Sequence, residues 1–123
     1  MEVVRMRATD GLGRYGENVA VRHLTAAGMA ILERNWRCSA GEIDIVARDG
    51  QTLVICEVKT RFDGAFGDPI EAVTRAKAAR LRRLAAMWLA ANGVRVPEVR
   101  VDVVGVSRER TGAARVEHLR GVL

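Results

Sequence analysis

The chain has 123 residues, 49% of them hydrophobic and 28% charged, and its mean hydropathy of +0.00 describes one soluble globular domain. No apolar run approaches the roughly 18 residues that cross a bilayer, and the N-terminal segment lacks the apolar stretch of a signal peptide. A net charge of +5 favours a polyanionic partner, and the isolated Cys38 and Cys56 lack the spacing of zinc or redox motifs, which suits a reducing cytoplasm.

In chain order, residues 1–10 read as a flexible arm ahead of a domain spanning 11–123. Thr9 and Asp10 offer caps for a helix over about 12–27 that Gly28 ends, with Val19, Ala20, His23, Leu24 and Ala27 at helical spacing. A strand over 29–37 follows, then two β-rich segments at 42–47 and 52–59 joined at Asp49-Gly50, a hairpin signal. Residues 60–67 read as a glycine-containing loop, in which Phe62 and Phe66 are candidates for base or sugar contacts or for plain loop packing. Asp68-Pro69-Ile70-Glu71 has the pattern of a helix start, and Asn92-Gly93 that of its stop. Strands at 98–107 and 115–119 complete the order α-β-β-β-α-β-(β), a central mixed sheet flanked by an N-terminal helix and a long helix. The predicted core includes Trp36 and Trp88, with a structural ion pair between Arg100 and Asp102. His23 is expected to pack, and His118 carries no signal.

Two lysines, Lys59 and Lys77, stand among twenty basic residues that are otherwise arginine. Arginine is a permanently charged fork, whereas a lysine ammonium shifts its pKa readily, so a lysine in this background is a distinct chemical choice. Strand parity places Glu42 and Asp44 on one face of the first hairpin strand and Glu57 and Lys59 on the same face of the second. With Asp49-Gly50 as the central turn residues, position 44 pairs with 55 and 42 with 57, making Asp44 a diagonal neighbour of Glu57. Adjacent carboxylates resist ionising together. A Mg²⁺ or Mn²⁺ ion relieves that repulsion, activates a water and polarises a phosphoryl oxygen, with Lys59 placed to orient the water or neutralise developing charge. The plainer alternative is a solvated sheet face carrying a carboxylate–lysine pair. Helical phase places Lys77 near the centre of the stripe formed by Ile70, Val73, Leu81, Leu84 and Trp88, aimed at the carboxylates or snorkelling at the sheet margin.

Gly13-Arg14-Tyr15-Gly16-Glu17, Gly41-Glu42-Ile43-Asp44, Glu57-Val58-Lys59-Thr60-Arg61 and the helix containing Lys77 together resemble the YraN family. These are small bacterial proteins related to Holliday-junction resolvases within the PD-(D/E)XK nuclease superfamily, and the resemblance runs from about residue 11 to 107. It implies a restriction-endonuclease-like α/β fold, metal ligation by Asp44 and Glu57, and Lys59 as the catalytic lysine. It also implies that Glu17 completes the acidic pocket, with Glu42 in support. Arg14, Arg61 and Lys77 are the candidate nucleic-acid contacts. The implied activity is metal-dependent DNA endonuclease cleavage leaving a 5′-phosphate. The alternative is a non-cutting nucleic-acid-binding module of the same fold that assists recombination or repair. Analogy with resolvases raises a homodimer. Ile43 stands where the superfamily pattern has a proline before the aspartate.

Overall fold

The computed structural model describes residues 8–62 and 74–122, with side chains from residue 11 onward. Its elements are α1 (Ala8–Ala26), β1 (Ala30–Cys38), β2 (Gly41–Asp49), β3 (Thr52–Phe62), α2 (Arg75–Asn92), β4 (Glu98–Arg108) and β5 (Arg115–Leu119). The five strands form one sheet in the order β1-β2-β3-β4-β5. Only β3 and β4 are parallel, so the connection between them must cross over the sheet, and α2 lies in that crossover. The mixed α/β architecture and its element order are those expected from the sequence.

Both faces of the sheet are buried. On one, Val19, Ala20 and Leu24 of α1 pack on Ile45, Ala47, Val54, Cys56, Val104 and Val106. On the other, Leu81, Leu84, Ala85 and Trp88 of α2 pack on Ile43, Val46, Leu53, Ile55 and Val101. This is why β3 reads as a near-continuous apolar run before Glu57 rather than as an alternating one. Trp88 donates its indole N–H to Glu33 Oε1 at 2.8 Å, tying α2 to β1. The solvated face considered for Glu57 and Lys59 is thus covered by α2.

Several boundaries differ from the sequence reading. Helix α1 begins at Ala8, so Thr9 and Asp10 lie in its first turn rather than capping it; residues 1–7 of the expected arm lie outside the described residues. Strand β3 continues to Phe62 because β4 pairs with it residue by residue as far as Phe62↔Arg108. The expected start at Asp68-Pro69-Ile70-Glu71 lies outside the described residues, as do Phe66, Ile70 and Val73. No helix runs unbroken from there to residue 92, because Thr74 is extended (φ −97°, ψ 165°) and caps α2 through its side chain, which accepts the Lys77 N–H. Gly93 stops the helix in the left-handed conformation, as expected.

The hairpin register is shifted by two residues. Asp49 pairs with Thr52 and Ile45 with Cys56, so the turn residues are Gly50 and Gln51 rather than Asp49 and Gly50. Gly50 takes φ +61°, the left-handed region that the first position of this tight turn demands. An even shift preserves which side chains share a face, so the parity argument survives. The pairing does not.

Candidate metal and nucleic-acid site

The ladder between β2 and β3 ends at Ile45↔Cys56, whereas β2 continues back to Gly41 against β1 and β3 continues to Phe62 against β4. The two central strands therefore part, and Asp44 and Glu57 are the first residues past the fork. Continuing the register sets them opposite one another, closer than the diagonal relation expected. The backbone N–H of Val58, which no longer faces a ladder partner, donates to Asp44 Oδ2 at 2.8 Å. The Asp44 and Glu57 carboxyl groups also hydrogen-bond to each other. Burial raises the Asp44 pKa to about 7; the Val58 N–H works against the rise, while the Glu57 and Glu17 charges add to it.

From α2, Lys77 Nζ lies 3.3 Å from Glu57 Oε2, and both side chains are largely enclosed. Lys59 follows Glu57 by two residues on the same strand face. Burial lowers the Lys59 pKa; Glu57 opposes this, and the like charge of Lys77 lowers it further. Both rare ammonium groups thus address one carboxylate pocket. In this arrangement the Lys77 ammonium is engaged by Glu57.

Glu17 reaches the site from the opposite layer. A Cβ at position 16 would overlap the Thr60 side chain, so only glycine lets α1 lie this close to β3 and bring Glu17 towards the fork. Glu17 Oε1 accepts from Asn35 Nδ2 at 2.7 Å and from Arg34 Nε at 3.2 Å. Arg14 is exposed three residues earlier on α1, and Arg61 follows Lys59 by two residues on the same face of β3.

Glu42 does not join the cluster. It pairs with Arg37 at 3.0 Å, and its side chain is 54% exposed. The parity argument fails there because β2 turns over at Asp44. Ile45 packs beneath α1 and Ile43 beneath α2, although residues two apart in a regular strand share a face. In the β1–β2 register Arg34 pairs with Ile45 and Trp36 with Ile43, while Asn35, opposite Asp44, makes no ladder pair and has φ +52°.

The donor set fits a hard divalent cation. Two carboxylates in contact, one with its pKa pushed up to about 7 chiefly by burial, are what such an ion would bind and what an ion-free site tolerates poorly. Among the described residues no three His, Cys, Asp or Glu side chains form a ready ligand cage. Asp44 and Glu57 would therefore be the protein ligands, with water completing the shell, as Mg²⁺ commonly requires.

A second buried charge cluster lies on the α1 side of the sheet. Asp102, fully buried, accepts two bonds from Arg100 at 2.8 and 3.0 Å, one from the Gly121 N–H at 3.0 Å and one from His118 Nε2 at 2.8 Å. An ionised carboxylate can only accept, so His118 carries its proton on Nε2, and Nδ1 receives the Nε2–H of His23 at 3.0 Å. The Arg100–Asp102 pair was legible in the sequence, but the part played by His118 was not. At the end of β3, Arg108 places its guanidinium 5.0 Å from the Tyr15 ring centre and 5.8 Å from that of the exposed Phe62.

The fold defines the class, a small mixed α/β protein built on one five-stranded sheet. Residues 16–106 match the family described as "Uncharacterised protein family UPF0102", and the chain belongs to that family, as its motifs led us to expect. It is 66% identical over 117 residues to a UPF0102 protein of Beutenbergia cavernae, covering 95% of this chain and 99% of that one. A UPF0102 protein of Kineococcus radiotolerans is 59% identical over 121 residues, covering 98% and 99%. Among solved structures, Hjc, a Holliday junction resolvase from Archaeoglobus fulgidus, is similar at 15% identity with a TM-score of 0.42, covering 87% of this chain and 85% of that chain. No described helix is long and apolar enough to cross a membrane.

Proposed function

We propose that this protein is a cytoplasmic, Mg²⁺- or Mn²⁺-dependent endonuclease that hydrolyses phosphodiester bonds in DNA, with branched or otherwise structured DNA as its substrate. The observation that carries this reading is the contact pair Asp44–Glu57 at the strand fork, faced by Lys59 and Lys77. A half-buried carboxylate pair with two ammonium groups beside it has little structural use, whereas phosphoryl transfer needs both a cation site and positive charge at the reacting phosphate.

In this mechanism Asp44 and Glu57 would hold the cation, which would polarise a phosphoryl oxygen and acidify a water. Lys59, two residues after Glu57 on the same strand face, would orient the attacking water or offset negative charge as it develops on the phosphate. Lys77, on Glu57 in this structure, is within reach of the same phosphate once Glu57 is otherwise engaged. Arg14 and Arg61 would bind flanking phosphates, which would make affinity salt-dependent and largely indifferent to sequence. The exposed Phe62, backed by Arg108 and Tyr15, offers a surface on which an unpaired base can stack.

The test is cleavage of junction, flap, single-stranded and duplex DNA with Mg²⁺ and Mn²⁺, beside Asp44→Asn and Lys59→Ala. We expect metal-dependent cleavage that each substitution lowers at least a hundredfold, on the order of 3 kcal/mol of barrier. Cleavage that survives both would refute the mechanism. Binding without cleavage on every substrate would identify a non-cutting module instead.

A further inference from the structure

We propose that Asn35 is a positioning residue of the acidic site, fixing the Glu17 carboxylate so that one of its oxygens is kept for a water bound to the cation. This rests on the metal-site reading above.

Asn35 is the only non-glycine residue with a positive φ among the described residues. That backbone state costs an L-residue roughly 1 kcal/mol, and asparagine tolerates it better than most. The conformation occurs where it breaks a ladder. Arg34 and Trp36 both pair with β2, but Asn35 and the residue facing it in register, Asp44, do not pair. The left-handed turn instead sends the Asn35 amide to Glu17 Oε1 at 2.7 Å. Arg34 reaches the same oxygen through Nε at 3.2 Å while its NH2 is anchored on Asn18 Oδ1 at 2.7 Å.

Both donors therefore converge on Oε1, and neither engages Oε2. An unassisted Arg–carboxylate pair favours the two-pronged geometry that engages both oxygens. Here the guanidinium is tethered to Asn18 and the amide takes the second position on Oε1. Asn35, which holds the Glu17 carboxylate at 2.7 Å, stands opposite Asp44 in the β1–β2 register, so the carboxylate lies near the fork. Stability does not account for the arrangement, because Asn35 and Arg34 are exposed and exposed polar pairs contribute little. What they secure is the direction of a carboxylate.

The substitution that separates backbone from amide is Asn35→Gly, since glycine keeps the left-handed conformation and removes the donor. Mn²⁺ binding is measured by calorimetry on the full chain, alongside thermal unfolding without metal. We expect N35G to unfold at the wild-type temperature and to bind Mn²⁺ roughly tenfold more weakly, the scale found for residues that orient metal ligands. Because Asn35 acts through Glu17, adding N35G to Glu17→Gln should weaken binding no further than E17Q alone. Unchanged Mn²⁺ affinity in N35G, or an equal loss in the E17Q background, overturns the proposal. Failure of N35G to fold also overturns it, by assigning Asn35 to stability. Asp44→Asn is the control on the underlying reading. If D44N binds Mn²⁺ as wild type does, the cation site itself is wrong, whereas a loss in D44N with none in N35G refutes only the role of Asn35.

Discussion

Two carboxylates on opposite faces of one sheet, Asp102 fully buried and Asp44 half-buried, are treated in opposite ways. Asp102 receives four hydrogen bonds, two of them from a guanidinium. Burial pushes its pKa up, but Arg100, the Gly121 N–H and His118 outweigh it, and the group sits below its usual value. Asp44 receives one backbone N–H and faces two other carboxylates, so burial wins and its pKa rises to about 7. A carboxylate that serves the fold is saturated with donors. One left short of donors among like charges destabilises the ion-free protein, which is the pattern the proposed cation site would explain.

The largest expected effect lies on the saturated side. Asp102→Ala removes the buried acceptor shared by Arg100, His118 and the Gly121 N–H, leaving Arg100 only Asp49 at 3.1 Å, and should cost about 3 kcal/mol in denaturant unfolding. A loss under 1 kcal/mol would mean that the network is incidental. On the other side the sign reverses. The Asp44 pKa is raised in the folded state, so its contribution is fully present below the unfolded value near 3.8 and is lost as pH rises through about 7. Metal-free Asp44→Asn should therefore exceed wild type in stability at pH 8, by on the order of 1–2 kcal/mol, and lose that advantage towards pH 4. A variant less stable than wild type at pH 8 would erase the contrast. The smallest effect concerns the link between the His118 network and α1. Burial, the neighbouring His118 and Arg120 lower the His23 pKa. Its contribution is thus intact above about 6.5 and fades as pH falls towards the lowered folded value. His23→Gln should flatten the acid limb of the stability profile between pH 7 and 5, and an unchanged limb would show that the imidazole pair carries no pH dependence.

The sequence was most informative where local rules act alone. Alternation located β2 and β3, and helical phase aimed Lys77 at the sheet. The turn chemistry of Asp49-Gly50 found the hairpin but placed its centre one residue early, which the glycine-first geometry of Gly50-Gln51 corrects. Because the resulting shift is even, Asp44, Glu57 and Lys59 kept their common face. Glu42 did not, because parity presumes a regular strand and β2 turns over at Asp44, opposite a left-handed Asn35. Asparagine's tolerance of that conformation was the available signal, and it is too common in turns to mark one kink inside a strand. The role of His118 was beyond local reading altogether. It depends on β5 pairing with β4, which sets His118 against Val104 and brings it to Asp102 from sixteen residues away.

The parallel pairing of β3 with β4 has a consequence for the order in which the molecule can be assembled. Glu17, Asp44, Glu57, Lys59 and Lys77 all precede β4 in the chain, yet β3 pairs with β4 along its whole length, from Thr52↔Glu98 to Phe62↔Arg108. Without β4, β3 is an edge strand of a small meander, the kind of sheet that holds poorly in water. A chain synthesised from its N-terminus therefore carries every acidic and basic group of the site before it has the sheet that brings them together. The pocket closes only once β4, which begins at residue 98 of 123, has been made.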